Sequence, residues 1–316
     1  MFDTIISGMW EIVQKENIKF LKYPDKDIPA MKDYYTMQRL RNLRIALEPM
    51  VFNQLNETYG KKLNDFWETY TPPLRSSKTF VVIERRCHPN MWFVLRNILW
   101  SGSSLGMSIV IYCSDENEGY IRGLLADKVD SFHIIPFFKG EGDAKNGIID
   151  YNDLLTRYTT YEQILDLTGA SYMITVQMDN YFRRKMINEL FIHDYYGAPW
   201  AWDHTAPGGS GVTFRRIQLM IDICKKYRPD LQILIEETGE DCWWNNVLRL
   251  EKAHIPLFSF RWRIINESSH LCIIEDEKQL SFYNPFIIHQ SWTYIDMNWT
   301  FDLYINYWRA LLEIKI

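Results

Sequence analysis

The chain has 316 residues and a formal net charge of −5, from 35 Lys and Arg against 40 Asp and Glu. Proteins that bind nucleic acid by neutralising phosphates are usually basic, so we expect no nucleic-acid partner. Charged residues make up 24% and hydrophobic residues 47% of the chain, which excludes a disordered or collagen-like protein. Aromatic residues make up 15%, and such side chains often form the flat apolar walls of binding sites.

The first residues, MFDTIISGMWEIVQKEN, lack the basic and apolar regions of a secretory signal. No apolar run reaches the length of a membrane span, so we expect a soluble, cytoplasmic protein with no transmembrane segment. The five cysteines lack C-x-x-C spacing, so neither a disulfide framework nor a zinc site is predicted.

Residues 1–77 form a region distinct from the rest of the chain. Leu40, Leu43 and Leu47 recur at helical spacing, and Pro72-Pro73 ends the pattern. We predict a helical N-terminal extension over residues 1–77 and a second domain over residues 78–316. Packing of the extension on that domain is favoured over a separate cap or a surface for a partner protein.

Short apolar runs alternate with amphipathic stretches after Lys78. The runs predicted as strands are residues 80–83, 109–112, 132–138 and 172–176. The stretches predicted as helices are residues 90–100, 118–126 and 151–167. This alternation predicts an α/β fold with a largely parallel sheet and helices on both faces. Ligands of such sheets bind at the carboxyl ends of the strands.

Polar residues follow several of these predicted strands. Glu84-Arg85-Arg86 follow the first strand, Asp115 the second, and Gln177 to Asn180 the fourth. The chain has neither a G-x-G-x-x-G sequence after the first strand nor a P-loop sequence, so ordinary dinucleotide and P-loop sites are not expected.

Two blocks of sequence could bind a metal ion or an anion. Asp179 lies at the tip of an apolar strand, where a carboxylate can hold Mg²⁺ or Mn²⁺, although a turn or helix-capping role is commoner. The glycine-rich block that begins at Gly208 could expose amides to an anion or to sugar hydroxyls. A tight turn between a strand and a helix explains the same block equally well.

Two further blocks contain groups that titrate. Glu240 and Asp241 open a predicted helix ahead of Trp243-Trp244, so one carboxylate could be a general base or both could cap the helix. His289 follows an apolar run, where a metal ligand or phosphate donor competes with the commoner structural histidine.

From about residue 80 to residue 292, the chain resembles a domain-of-unknown-function family of glycosyltransferase-like proteins found in bacteria, fungi and giant viruses. The matching blocks are VVIERRCHPNMWFVLRN at 81–97, VQMDN at 176–180, YYGAPW at 195–200, GGSGVTFRR at 208–216, ED at 240–241 and PFIIHQSW at 285–292. The resemblance implies the type A glycosyltransferase fold, a mixed sheet flanked by helices. It implies a metal-dependent transferase that moves a sugar from a nucleoside diphosphate sugar, with UDP favoured, to a hydroxyl of a glycan or another acceptor.

The resemblance also implies roles for single residues. Asp179 takes the last acidic position of the D-x-D motif and would bind Mn²⁺ or Mg²⁺, with His289 as a second ligand. Gln177 departs from the first acidic position, which weakens the site. The residues expected to contact the nucleotide sugar are Glu84, Arg85, Asp115, Gln177, Asp179, Gly208, Gly209, Ser210 and Gly211.

Transfer to a hydroxyl benefits from a general base. Asp241 is the candidate, with Glu240 beside it, and this pair slightly favours inversion at the anomeric carbon. The tryptophans expected to stack on a sugar or base are Trp200, Trp243, Trp244 and Trp292.

Two alternatives from other classes remain open on the sequence. Gln177 suggests a catalytically inactive protein of the same fold that binds a nucleotide or glycan. The region before Pro72 suggests an assembly protein that uses this segment as a docking surface.

Overall fold

Six strands form one mixed sheet, and three short strands form a second sheet beside it. The computed structural model describes residues 2–21, 29–140, 144–200, 205–227, 239–267, 284–293 and 299–316. The helices are α1 (Phe2–Leu21), α2 (Pro29–Thr69), α3 (Met91–Gly102), α4 (Glu118–Leu125), α5 (Ala144–Thr156), α6 (Tyr158–Thr168), α7 (Ile217–Lys226), α8 (Gly239–Leu250), α9 (Phe258–Ile264) and α10 (Phe301–Leu311). The strands are β1 (Lys78–Ile83), β2 (Ser108–Ser114), β3 (His133–Phe138), β4 (Tyr172–Val176), β5 (Asn180–Phe182), β6 (Tyr195–Ala198), β7 (Gly209–Arg216), β8 (Ile265–Asn266) and β9 (Ile287–His289).

The main sheet has the strand order β3-β2-β1-β4-β7-β6. Strands β1 to β4 are parallel, whereas β7 runs antiparallel to both β4 and β6. The carboxyl ends of β1, β2 and β4 therefore meet at one edge, where an open α/β sheet binds its ligands. The predicted α/β sheet flanked by helices is confirmed.

The second sheet has the order β5-β9-β8, and its strand β5 follows β4 in the chain. Asn180 pairs with His289 across β5 and β9, and the backbone N–H of Gln290 donates to the carbonyl of Asp179 over 3.1 Å. This small sheet therefore fixes His289 beside the end of β4, although the two residues are far apart in sequence.

The N-terminal helices pack on the face of the sheet that also carries α3. Leu43, Leu47 and Val51 of α2 are fully buried in the same core as Phe80 and Ile109 of the sheet. Helices α5 to α8 cover the other face with a second core. None of the described helices has both the length and the apolarity needed to cross a membrane.

Two predicted elements differ in the structure. The predicted helix over residues 151–167 is two helices, because Arg157 adopts an extended conformation between α5 and α6. The block from Gly208 to Arg216 is not a turn before a helix, since Gly209–Arg216 form the antiparallel strand β7. A Cβ at Gly197 would overlap the carbonyl oxygen of Gly209, so the close approach of β6 to β7 requires glycine.

Candidate functional site

The centre of the candidate site is a buried pair formed by Asp179 and His289. Asp179 follows β4, His289 ends β9, and the two side chains are 2% and 4% exposed. Asp179 Oδ1 lies 3.5 Å from His289 Nε2, and His289 Nδ1 lies 3.4 Å from Glu267 Oε1. The imidazole therefore lies between two carboxylates.

Gly211 of β7 makes this arrangement possible. A Cβ on Gly211 would lie 2.9 Å from His289 Nδ1 and closer still to Cε1 and Nε2, so no larger residue fits under the ring. The amide of Asn180 donates to the carbonyls of Gln177 and Gly211, over 2.9 and 3.2 Å. These contacts hold the end of β4, the middle of β7 and the imidazole together.

The two carboxylates determine the charge of the imidazole. Burial lowers the pKa of His289, but the charges of Asp179 and Glu267 outweigh burial and raise this pKa to about 10. Burial likewise raises the pKa of Asp179, but His289 and Arg44 outweigh it and bring this pKa to about 2. Without a metal ion the pair is ionised at neutral pH.

The same atoms have unused capacity to bind a ligand. Asp179 Oδ1 and both ring nitrogens of His289 are buried and form no hydrogen bond with the described residues. Asp179 Oδ1 and His289 Nε2, which lie 3.5 Å apart, would both hold a divalent ion if the imidazole were neutral. The described residues contain no cluster of three or more His, Cys, Asp or Glu that could hold a metal. Asp179 and His289 would supply only two ligands, and a substrate would have to fill the other positions of the ion.

Glu84, Arg85 and Asp115 lie at the carboxyl ends of β1 and β2, where they hold loops. Glu84 accepts hydrogen bonds from the backbone and guanidinium of Arg86. Arg85 forms an ion pair with Asp150 at 3.1 Å, and Asp115 accepts from the backbone of Gly140 at 2.7 Å. The structure brings these residues to the predicted edge, where each of them already has a partner within the protein.

The two predicted catalytic carboxylates have different surroundings. Glu240 is 2% exposed and lies 3.8 Å from the guanidinium of Arg215, which also packs on the rings of Tyr195 and Trp244. Asp241 is partly exposed, and burial followed by the charge of Glu267 raises its pKa. Asp241 therefore keeps some exposure to solvent, whereas Glu240 is buried beside Arg215.

Two of the four predicted stacking residues cannot reach a ligand. Trp244 and Trp292 are completely buried, Trp244 with its indole N–H donating to Leu155 over 3.2 Å and Trp292 edge-on to Phe52. The stacking role predicted for these two residues is therefore wrong. Trp200 and Trp243 are partly exposed, and the indole nitrogen of Trp200 approaches Gly209 of β7.

Gly208 and Gln177 already have hydrogen-bond partners within the protein. The amide of Asn245 pairs with both backbone groups of Gly208, over 3.2 and 3.3 Å. Ser210 belongs to β7, but its side chain lies outside the described residues. Gln177 is partly exposed and hydrogen-bonds Tyr151.

Sequence reasoning missed three charged residues at this site. Arg44 of α2 donates to Asp179 Oδ2 over 2.7 Å, and Glu48, one turn later, lies within 3.5 Å of Arg44. The amide of Asn90 links Glu48 to the backbone of Met178. Glu267 is the third. The i, i+4 spacing of Arg44 and Glu48 indicates an ion pair, but nothing in it indicates a partner 135 residues away.

Comparisons with known proteins give a partial picture. A family model described as "Protein of unknown function (DUF5672)" matches residues 141–281, which include β4 to β8 and the Glu240-Asp241 pair. No curated protein matches the chain. Among solved structures, the apo form of mouse xyloside xylosyltransferase 1 is 9% identical, with a TM-score of 0.39 over 67% of this chain and 97% of that chain. A TM-score this low does not establish a shared fold. The similarity to a known family is therefore the match of the family model to residues 141–281.

Proposed function

We propose that the protein is a metal-dependent glycosyltransferase that moves a sugar from a nucleoside diphosphate sugar to a hydroxyl group. The observation that carries this proposal is the Asp179–His289 pair. It joins an acidic oxygen and a ring nitrogen, both buried, at the edge where parallel strands end, and neither atom forms a hydrogen bond with the described residues. The resemblance of the blocks around both residues to glycosyltransferase-like proteins supports the same assignment.

Asp179 Oδ1 and His289 Nε2 would hold Mn²⁺ or Mg²⁺, and the ion would stabilise the negative charge that develops on the departing diphosphate. Gly211 leaves the space that the imidazole occupies, and Arg44 binds the second carboxylate oxygen of Asp179. With Gln177 in place of a first acidic residue, the site has one negative charge fewer. The diphosphate would therefore contribute more of the binding.

Asp241 is the proposed general base for the acceptor hydroxyl. Burial raises the pKa of Asp241, which makes its carboxylate a stronger base, and the side chain remains partly exposed. Glu240, at the start of α8, is buried beside the guanidinium of Arg215. A positioned base typically contributes about 10²–10⁴-fold to a rate, and a base opposite the leaving group favours inversion.

Trp200 and Trp243 are the proposed stacking surfaces for the sugar or the base, because both indoles have exposed area at this edge. Glu84, Arg85 and Asp115 would shape the nucleotide side mainly by holding the loops after β1 and β2. UDP is the favoured nucleotide through the resemblance alone.

A thermal-shift screen of nucleotide sugars, with and without Mn²⁺, tests the proposal. A ligand that binds only the folded protein raises the melting temperature by mass action. We expect a nucleotide-dependent rise that requires the metal and disappears in the Asp179→Asn variant. A panel without any metal-dependent shift would contradict the proposal.

The second candidate is a protein of the same fold that binds a nucleotide or glycan without turnover. Two observations favour it, namely Gln177 at the acidic position and the cation of Arg44 on Asp179. The two functions differ in one measurement. A binding protein shows the metal-dependent shift but releases no UDP in the presence of donor and acceptor.

A further inference from the structure

A cavity of about 490 Å³ lies between the N-terminal helix α2 and the loop that leads into α3. Its size falls in the range of small-molecule sites, about 300–1,000 Å³. Residues 44–56 of α2 form one wall, and residues 86–96 form the other. The cavity therefore exists only because the N-terminal extension packs on the sheet.

Three guanidinium groups and one carboxylate are the formal charges that line this cavity. Arg44 and Arg86 are about half exposed, whereas Arg96 is 1% exposed, and Glu48 is the carboxylate. Burial lowers the pKa of His88, another lining residue, so this ring adds no positive charge at neutral pH. The lining is therefore rich in hydrogen-bond donors.

Arg96 is a buried cation without an acidic partner. Its guanidinium donates to neutral groups only, among them the carbonyl of Gly60 and the side chain of Asn56, each over 3.1 Å. In the part of the chain that the structure describes, no carboxylate lies within ion-pair distance of Arg96. Buried charges are usually paired, so the interior of the cavity favours an anion.

Arg44 and Arg86 have donors to spare at the exposed side. Glu84 binds Nε and Nη2 of Arg86, and Asp179 and Glu48 bind Nη2 and Nε of Arg44. The Nη1 group of each arginine forms no hydrogen bond with the described residues. These ion pairs hold both guanidinium groups in place while leaving Nη1 available to an oxyanion.

The remaining walls suit a ring with polar edges. Trp92 provides partly exposed apolar surface, and Asn53 provides an exposed amide that forms no hydrogen bond with the described residues. Arg44 separates the cavity from Asp179 by a single side chain. A ligand in the cavity therefore lies next to the proposed donor site.

We propose that this cavity binds the acidic group and ring of an anionic carbohydrate, a sugar phosphate or a sugar carboxylate, and that this carbohydrate is the acceptor. The acceptor role rests on the proposed glycosyltransferase function, whereas the binding itself does not. Phosphate and carboxylate share the oxyanion chemistry that guanidinium groups recognise.

Binding of glucose 6-phosphate, glucuronate and glucose, measured by protein NMR titration at low salt, tests this proposal. Both anionic sugars are expected to bind and to weaken as salt increases, whereas glucose binds at least about 10-fold more weakly. Arg86→Gln removes a charge at the cavity and is expected to weaken glucose 6-phosphate about 10-fold. Arg41 is an exposed arginine of α2, one turn before Arg44 and outside the cavity lining. The control variant Arg41→Gln should leave binding unchanged.

A second variant keeps the test independent of the Arg86 ion pair. Asn53 is exposed and forms no hydrogen bond with the described residues, so Asn53→Phe should fold and fill the cavity, which abolishes binding. Equal binding of glucose, no binding of either anion, or an equal effect of Arg41→Gln would overturn the proposal. UDP binding with Mn²⁺, measured on the same samples, separates this failure from a failure of the proposed function.

Discussion

Replacement of Gly211 by alanine tests whether the position of His289 depends on the backbone of β7. The new Cβ would lie 2.9 Å from Nδ1 and closer to Cε1 and Nε2, whereas ordinary contact begins near 3.4 Å. The nearest ring atom must therefore move by about 1 Å or more, and β9 is held by its pairing with β5. Overpacking of this kind typically costs about 1–3 kcal/mol.

The displacement also separates the imidazole from its two carboxylates, which lie only 3.4 and 3.5 Å away. We expect a loss of about 1–3 kcal/mol in the free energy of unfolding, measured by urea denaturation. We also expect metal affinity, measured by calorimetry with Mn²⁺, to fall about 10–100-fold, as for other changes that disturb ligand orientation.

Gly123→Ala is the matched control for this variant. Gly123 lies in α4, and a Cβ there would have no neighbour within 4 Å. Because alanine favours a helix, the control should be stabilised by about 0.5–1 kcal/mol. If Gly211→Ala kept the stability and metal affinity of the original protein, the packing argument for His289 would be wrong.

The other predictions concern the general base, the pH dependence of the rate and the two tryptophans of α8. Asp241→Asn is expected to lower the transfer rate about 10²–10⁴-fold while the dissociation constant for UDP with Mn²⁺ stays within 2-fold; a normal rate would contradict the assignment. Burial and the charge of Glu267 raise the pKa of Asp241 and outweigh the opposing charge of Arg215. A general base must be deprotonated, so we expect the transfer rate to fall as the pH drops through this raised pKa, at a higher pH than for an ordinary aspartate. A pH–rate profile measures this. Trp244→Ala should cost about 3–5 kcal/mol of unfolding free energy because the side chain is completely buried, whereas Trp243→Ala should cost less than about 1.5 kcal/mol and instead weaken donor binding; equal stability losses would refute this distinction.

The main sheet was predictable from the sequence because its strands are short apolar runs bounded by polar residues. Residues 172–176 are an example, since the predicted strand and β4 coincide. The strand β7 was not predictable from the same pattern. Its first residues are Gly209, Ser210 and Gly211, which have low strand propensity, and Gly211 is required because His289 approaches it closely.

The candidate site was only partly accessible to sequence reasoning. Asp179 and His289 both follow apolar runs, so their positions at strand ends could be inferred from local pattern. The contact of Arg44 with Asp179 and the burial of Trp244 depend on how distant segments pack, which a local pattern does not contain. The number of tryptophans indicated binding surfaces, but two of the four tryptophans predicted to stack on a ligand, Trp244 and Trp292, lie in the core.

Metal-dependent binding of UDP to the protein and to its Asp179→Asn variant tests the central claim most directly. The substitution keeps the size of the side chain and removes the charge that His289 and Arg44 surround. Calorimetry should show UDP binding that requires Mn²⁺ in the original protein and a loss of at least about 100-fold in the variant. UDP binding that is independent of Mn²⁺, or equal in both proteins, would contradict the account.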